Sequence, residues 1–192
     1  GLRAVARSMP TGCAVDRVAA ALGIPCFETP SGWKYFGNLM DSRELGKERY
    51  DPLICGEESF GLGSSHVREK DGIWAILAWL SILAHHNQGV PEGSLVSVAA
   101  IVSKHWAKYG RNFYTRWDFE EVGAEGAKAM VARLAQVARG EAAMPEAPPG
   151  GPKLVGVDEF AYTDPVDGSV ATGQGLRLLF DGGARAVIRL SG

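Results

Sequence analysis

Two adjacent carboxylates and a hydroxyl lie between two glycines in Gly56-Glu57-Glu58-Ser59-Phe60-Gly61, directly after the apolar run Leu53-Ile54-Cys55. Carboxylates accept hydrogen bonds from sugar hydroxyls, and a serine both donates and accepts. One glutamate can instead pair with a nearby Lys or Arg, and the plainest reading of such a loop is a solvated, charged turn. A second polar loop, Thr29-Pro30-Ser31-Gly32-Trp33-Lys34, combines close backbone approach at Gly32 with the Ser31 hydroxyl and the Lys34 cation. On residue types alone it reads as an ordinary strand-to-helix turn with Ser31 as N-cap. A third, His66-Val67-Arg68-Glu69-Lys70-Asp71-Gly72, places Lys70 next to the start of a long apolar segment. A cation at a helix N-terminus opposes the macrodipole unless a carboxylate or an anion compensates. The same position suits an anionic ligand, and the plain alternative pairs Lys70 with Glu69 or Asp71 in solvent. At the far end, Arg189-Leu190-Ser191-Gly192 joins a side chain made for bidentate phosphate recognition to amides that cradle an oxyanion. Asp164-Pro165-Val166-Asp167-Gly168 has only two carboxylates and reads as a turn rather than a metal loop. His66, His85, His86 and His105 have no metal-ligand spacing.

The elements that must position these loops alternate strand and helix. Arg3 to Arg7 reads as a strand, Thr11 to Leu22 as a helix stopped by Gly23, and Ile24 to Glu28 as a second strand. Trp33 to Arg43 reads as a helix and Leu53 to Cys55 as a buried strand. This alternation predicts an α/β domain, a mixed or parallel sheet with crossover helices. Ligands in such folds gather beyond the strand C-termini. Asp71 to His86, apolar almost all round, predicts a core helix. Leu95, Val98, Val102 and Trp106 mark another helix, and Ala124 to Arg139 a third. Leu176 to Phe180 and Arg185 to Leu190 flank Asp181-Gly182-Gly183, a hairpin turn. The expected organisation is an α/β domain over 1–115, followed over 116–192 by part of an α+β domain with an antiparallel sheet.

The 192 residues carry a formal net charge of −2, with 46% hydrophobic and 22% charged residues. That balance argues against nucleic-acid and membrane-surface partners. Three cysteines, none in a C-x-x-C pair, favour a reducing compartment over a disulfide framework or a zinc site. The chain starts at Gly1 rather than Met, which suggests a fragment of a longer protein.

Arg7-Ser8-Met9-Pro10-Thr11, Glu28-Thr29-Pro30-Ser31-Gly32-Trp33-Lys34, Phe36-Gly37-Asn38-Leu39-Met40, Cys55-Gly56-Glu57-Glu58-Ser59-Phe60-Gly61, Arg68-Glu69-Lys70-Asp71-Gly72 and Tyr109-Gly110-Arg111-Asn112-Phe113 follow in that order. Asp164-Pro165-Val166-Asp167-Gly168-Ser169 and Gln174-Gly175-Leu176-Arg177 complete the series. Together they resemble the eukaryotic-type α-phosphoglucomutases of the α-D-phosphohexomutase superfamily. The resemblance implies a four-domain enzyme that interconverts glucose 1-phosphate and glucose 6-phosphate through glucose 1,6-bisphosphate. This chain would hold most of the third domain, lacking its N-terminal part, and a truncated fourth. The phosphoserine and the Mg²⁺ loop would lie in domains outside it, so it would bind no metal and be inactive alone. The implied substrate-binding residues are Ser31, Gly32, Glu57, Ser59, Lys70, Arg116, Arg189, Ser191 and Gly192. Lys70 would also polarise the reacting hydroxyl or phosphate. Glucose 1,6-bisphosphate would serve as activator and intermediate, and hexose phosphates and the remaining domains as partners. The cytosol is the implied compartment, or a plastid if a transit peptide has been removed. Two other readings are a non-catalytic family member acting as an interaction protein, and a related phosphopentomutase or hexose-bisphosphate synthase.

Overall fold

The computed structural model describes residues 2–45, 48–144, 146 and 149–190. The chain divides into two compact units, Gly1–Thr115 with Pro165–Asp167, and Arg116–Asp164 with Gly168–Gly192.

The first unit is α/β. Strands β1 (Ala4–Ser8), β2 (Cys26–Thr29), β3 (Pro52–Gly56) and β4 (Leu62–Ser64) form one sheet in the order β2-β1-β3-β4. The first three are parallel and β4 is antiparallel to β3. Register brings the strand ends level, with Arg7 opposite both Glu28 and Gly56, and Ser8 opposite Thr29. Helix α1 (Ala14–Leu22) packs on β1 and β2 and stops at Gly23. Gly23 adopts a left-handed φ of 66° and returns its N–H to the carbonyls of Ala19 and Ala20. Helix α2 (Trp33–Met40) is followed by the short α3 (Ser42–Leu45). Trp33, Phe36, Leu39 and Met40 form the buried stripe of α2, and they meet Ala6 and Cys55 in the core. Burial pushes the Cys55 thiol up to about 12, as expected for an apolar surrounding that penalises a thiolate. The three cysteines are free.

Helix α4 (Gly72–His86) starts where the sequence places it, capped by Asp71, whose carboxylate accepts the Trp74 N–H at 2.9 Å. That bond, with a second contribution from His66, holds the Asp71 carboxyl below its ordinary value. The cap's contribution is therefore present above the ordinary carboxyl range and is lost as pH falls through the lowered value. The expectation of a core helix fails. None of the α4 residues is buried, and Ile73, Ile76, Leu77 and Leu80 are exposed. Apolar content signals that a helix seeks cover, but burial needs a facing surface. Here α4 lies along the edge strand β4, and no described residue closes over its outer sides. Helix α5 (Val98–Tyr109) is capped by Ser97 and contacts α1.

The second unit is α+β. Helix α6 (Ala124–Ala138) packs on β5 (Leu154–Glu159) and β8 (Leu176–Phe180). The antiparallel sheet runs β5-β8-β9, with β9 at Arg185–Ile188. The link from β8 to β9 is the tight Asp181-Gly182-Gly183 turn, with Gly182 at φ 73°. The strand pair β6 (Tyr162–Thr163) and β7 (Val170–Ala171) is joined through the Asp164–Gly168 turn. There the Gly168 N–H reaches the Asp164 carbonyl at 2.9 Å.

Candidate functional site

Level strand ends put three loops at one edge of the first sheet. The loop after β1 starts at Met9, that after β2 carries Ser31 and Gly32, and that between β3 and β4 carries Glu57, Glu58 and Ser59. The last is a tight hairpin, in which the Glu57 N–H donates to the Gly61 carbonyl at 2.9 Å and the Phe60 N–H to the Glu57 carbonyl at 3.1 Å. Phe60 pays for this turn with a φ of 63°, unusual for a residue with a side chain.

The two glutamates leave this turn in different directions. Glu57, whose side chain is 7% exposed, accepts the Gly32 N–H on Oε1 at 2.7 Å and the Lys70 ammonium on Oε2 at 2.7 Å. It is therefore neither solvated nor free, and Lys70 pairs across the site rather than with Glu69 or Asp71 in solvent. Gly32 can present its N–H this way because its φ of 124° suits glycine alone. Lys70 Nζ also lies 3.5 Å from Ser59 Oγ. The hydrogen bond that Lys70 donates to Glu57 raises the lysine pKa, despite some desolvation. Lys70 is thus an ammonium at neutral pH, able to donate hydrogen bonds and polarise an oxygen, and not a base in this arrangement.

Glu58 takes the other route. Its Oε2 accepts the Ser8 hydroxyl at 2.6 Å and its Oε1 the Ser31 hydroxyl at 2.9 Å. Ser31 is not the N-cap. Gly32, one residue later, occupies the cap position of α2 and has no side-chain cap hydrogen bond, while the Ser31 hydroxyl donates across to Glu58. The loop before Lys70 is fixed by Arg68, which donates to the Asp41 carboxylate at 2.5 and 2.8 Å and to the Ser65 carbonyl at 2.8 Å.

Ser31, Gly32, Glu57, Ser59 and Lys70 thus come together in the first unit. Arg116 and Arg189 belong to the second. There Arg116 donates to Asp118 Oδ1 at 2.9 and 3.0 Å, and Arg189 is exposed just beyond β9. Ser191 and Gly192 lie outside the described residues. Among the described residues no group of three or more His, Cys, Asp or Glu could hold a metal ion, and no helix is long and apolar enough to cross a membrane.

Two glycines of the β3–β4 hairpin give opposed expectations. A Cβ on Gly63 would lie 2.5 Å from the Trp33 ring and 2.9 Å from the Glu69 carbonyl. Neither a buried ring nor backbone yields easily, so Gly63→Ala should cost about 1–3 kcal/mol in denaturant titration. A Cβ on Gly61 would lie 2.6 Å from Lys70 Cδ and 2.7 Å from Cε. That flexible stem can swing aside, so Gly61→Ala should cost less than Gly63→Ala, its cost coming from the lost Lys70–Glu57 pair rather than from a clash. The ammonium would leave Glu57, and the Lys70 pKa, read by NMR titration, should fall back towards its ordinary value.

The geometry defines a polar, hydroxyl- and carboxylate-lined loop cluster on an α/β domain, and sequence comparison gives it a family. Residues 1–110 match the phosphoglucomutase/phosphomannomutase α/β/α domain III, and residues 111–192 match the C-terminal domain of phosphoglucomutase-1. The chain belongs to the phosphoglucomutase/phosphomannomutase family. It is 54% identical over 197 residues to the chloroplastic phosphoglucomutase 1 of Marchantia polymorpha, covering all of this chain and 28% of that protein. It is 53% identical over 197 residues to the cytoplasmic phosphoglucomutase of Solanum tuberosum, covering all of this chain and 33% of that one. The open form of parafusin, a phosphoglucomutase from Paramecium, superimposes with a TM-score of 0.80 at 48% identity, over 99% of this chain and 30% of that one. The chain spans about a third of the length of the curated relatives it matches.

Proposed function

We propose that the full-length protein is a phosphoglucomutase, interconverting glucose 1-phosphate and glucose 6-phosphate through glucose 1,6-bisphosphate. The observation that carries this reading is the meeting of Glu57, Ser59, Lys70 and the Ser31-Gly32 turn beyond three parallel strand ends, in a chain of this family. Glu57 and Ser59 offer acceptors and a donor for sugar hydroxyls, and such contacts serve both orientations of a bisphosphate when hydroxyls exchange places on rotation. Lys70, held as an ammonium, polarises the reacting oxygen. Arg116 and Arg189, with Ser191 and Gly192, are assigned to the substrate phosphate. The phosphoryl-carrying serine and Mg²⁺ are assigned to domains outside this chain. The 192 residues alone are therefore expected to bind hexose phosphates without turning them over. Cytosol is the assigned compartment, with a plastid the alternative, since both kinds of relative match.

The test is to express the full-length protein, supply glucose 1-phosphate with Mg²⁺ and trace glucose 1,6-bisphosphate, and measure glucose 6-phosphate. A folded, pure protein that fails to interconvert the two sugars sinks the reading. In parallel, glucose 1-phosphate titrated into this chain should shift the amides of Gly32, Glu57 and Ser59.

A further inference from the structure

Glu58 stands between two loops and is exposed to neither of the roles given to its neighbour. Its two oxygens each take one hydroxyl, from Ser8 at the end of β1 and from Ser31 after β2. Ser8 is fully buried, and its Oγ also lies 2.6 Å from Thr11 Oγ1. An ionised carboxylate only accepts, so both serines must donate to Glu58. Ser8, having spent its proton, then accepts from Thr11. Ser8 and Ser31 both point their protons at one carboxylate, and Thr11 in turn donates to Ser8, which fixes the polarity of the hydroxyls as well as their positions. Ser31 Oγ is left with lone pairs alone to face a ligand.

We propose that Glu58 is a positioning residue. It locks the β3–β4 hairpin, which carries Glu57 and Ser59, to the Ser31-Gly32 turn, and it makes Ser31 an acceptor for a sugar hydroxyl. Glu57 bonds the Gly32 N–H on the same turn, so the two loops are pinned at two adjacent residues by two adjacent glutamates. The role in turnover rests on the mutase reading above.

The experiment compares wild type, Glu58→Ala, Ser31→Ala, the double variant and Glu58→Gln in the full-length protein. KM and kcat for glucose 1-phosphate, the thermal midpoint and hydrogen exchange at the Gly32 and Phe60 amides are measured for each. Glu58→Ala should raise KM about tenfold or more, with a smaller fall in kcat, because ground-state sugar contacts are lost. The double variant should be no worse than the poorer single variant, since the two side chains act as one unit. Glu58→Gln, which keeps the shape and one acceptor, should recover part of the loss. Additive effects, an unchanged KM, or a loss matched entirely by a falling thermal midpoint would overturn the proposal. Exchange at Gly32 and Phe60, whose N–H groups donate to the Glu57 side chain and carbonyl, should quicken at least tenfold in Glu58→Ala, and this readout needs no turnover. A wild-type protein without mutase activity would therefore remove the mutase reading and leave exchange to decide the positioning role, with unchanged exchange overturning it.

Discussion

In the full-length protein, Glu57→Gln is expected to lower kcat/KM for glucose 1-phosphate by about 10²–10³-fold, the size seen when one preorganised polar group is removed from a site. The shape of the side chain survives, so the effect isolates its charge. Oε1 accepts from Gly32 and Oε2 from Lys70, and both partners are donors. An amide has one acceptor oxygen. Whichever way it turns, its NH₂ group faces a donor, either the Gly32 N–H or the Lys70 ammonium. Lys70 would then leave the position from which it reaches Ser59. Its pKa, raised first by the Glu57 hydrogen bond, should fall towards the ordinary 10.5, which still leaves it charged near neutrality. The loss should therefore be about equal at every pH from ~6 to ~9, because position and not protonation has changed. Steady-state kinetics across that range check both points. A loss below about threefold, or one that grows steeply with pH, would remove Glu57 from the centre of the site.

The sequence made the loops legible before it made the contacts legible. Alternation of strand and helix located β1, β2, β3 and their helices, because apolar periodicity and Gly23 are local signals. Strand β4 escaped, since Leu62-Gly63-Ser64 is three residues long and pairs only through a hairpin. Helix α4 is legible in the sequence and its exposure is not, because composition states what a face needs and not what surrounds it. Glu57 and Glu58 were indistinguishable as a pair. Which carboxylate meets Lys70 and which meets the serines depends on the left-handed φ of Phe60, which its residue type does not announce, and on the level of three strand ends, which is non-local. Ser31 is of the residue type favoured at an N-cap, but α2 begins one residue later, with Gly32 as the cap, and the Ser31 hydroxyl donates to a carboxylate 27 residues along the chain.

Arg7 is the largest stability prediction, and it ties the fold to the site. Its side chain is 5% exposed. The guanidinium grips both oxygens of Asp16 at 2.6 Å, donates to Glu28 Oε1 at 2.9 Å and to the Ser8 carbonyl at 3.2 Å. It therefore joins β1 to α1 and to the end of β2. Burial works against its charge, but the hydrogen bonds to Asp16 and Glu28 outweigh that and hold its pKa above the ordinary value. Arg7→Leu would leave two carboxylates facing each other without the cation between them. Breaking such a pair by removing one member costs about 3–5 kcal/mol when the remaining charge is buried. Asp16 and Glu28 keep side-chain exposures of 36% and 28%, so the lower end, about 3 kcal/mol, is expected here. Arg7→Lys should recover little, because an ammonium cannot reproduce the two-pronged bond to Asp16. Removing the carboxylates as well, with Asp16→Leu and Glu28→Leu, should restore much of the loss, since the cost lies in carboxylates that have lost the guanidinium. Denaturant titration of the three forms measures this. A triple variant no more stable than Arg7→Leu would mean that the guanidinium acts mainly by holding the Ser8 carbonyl. Loosening of Ser8 would then pass directly to Glu58, whose carboxylate the Ser8 hydroxyl engages.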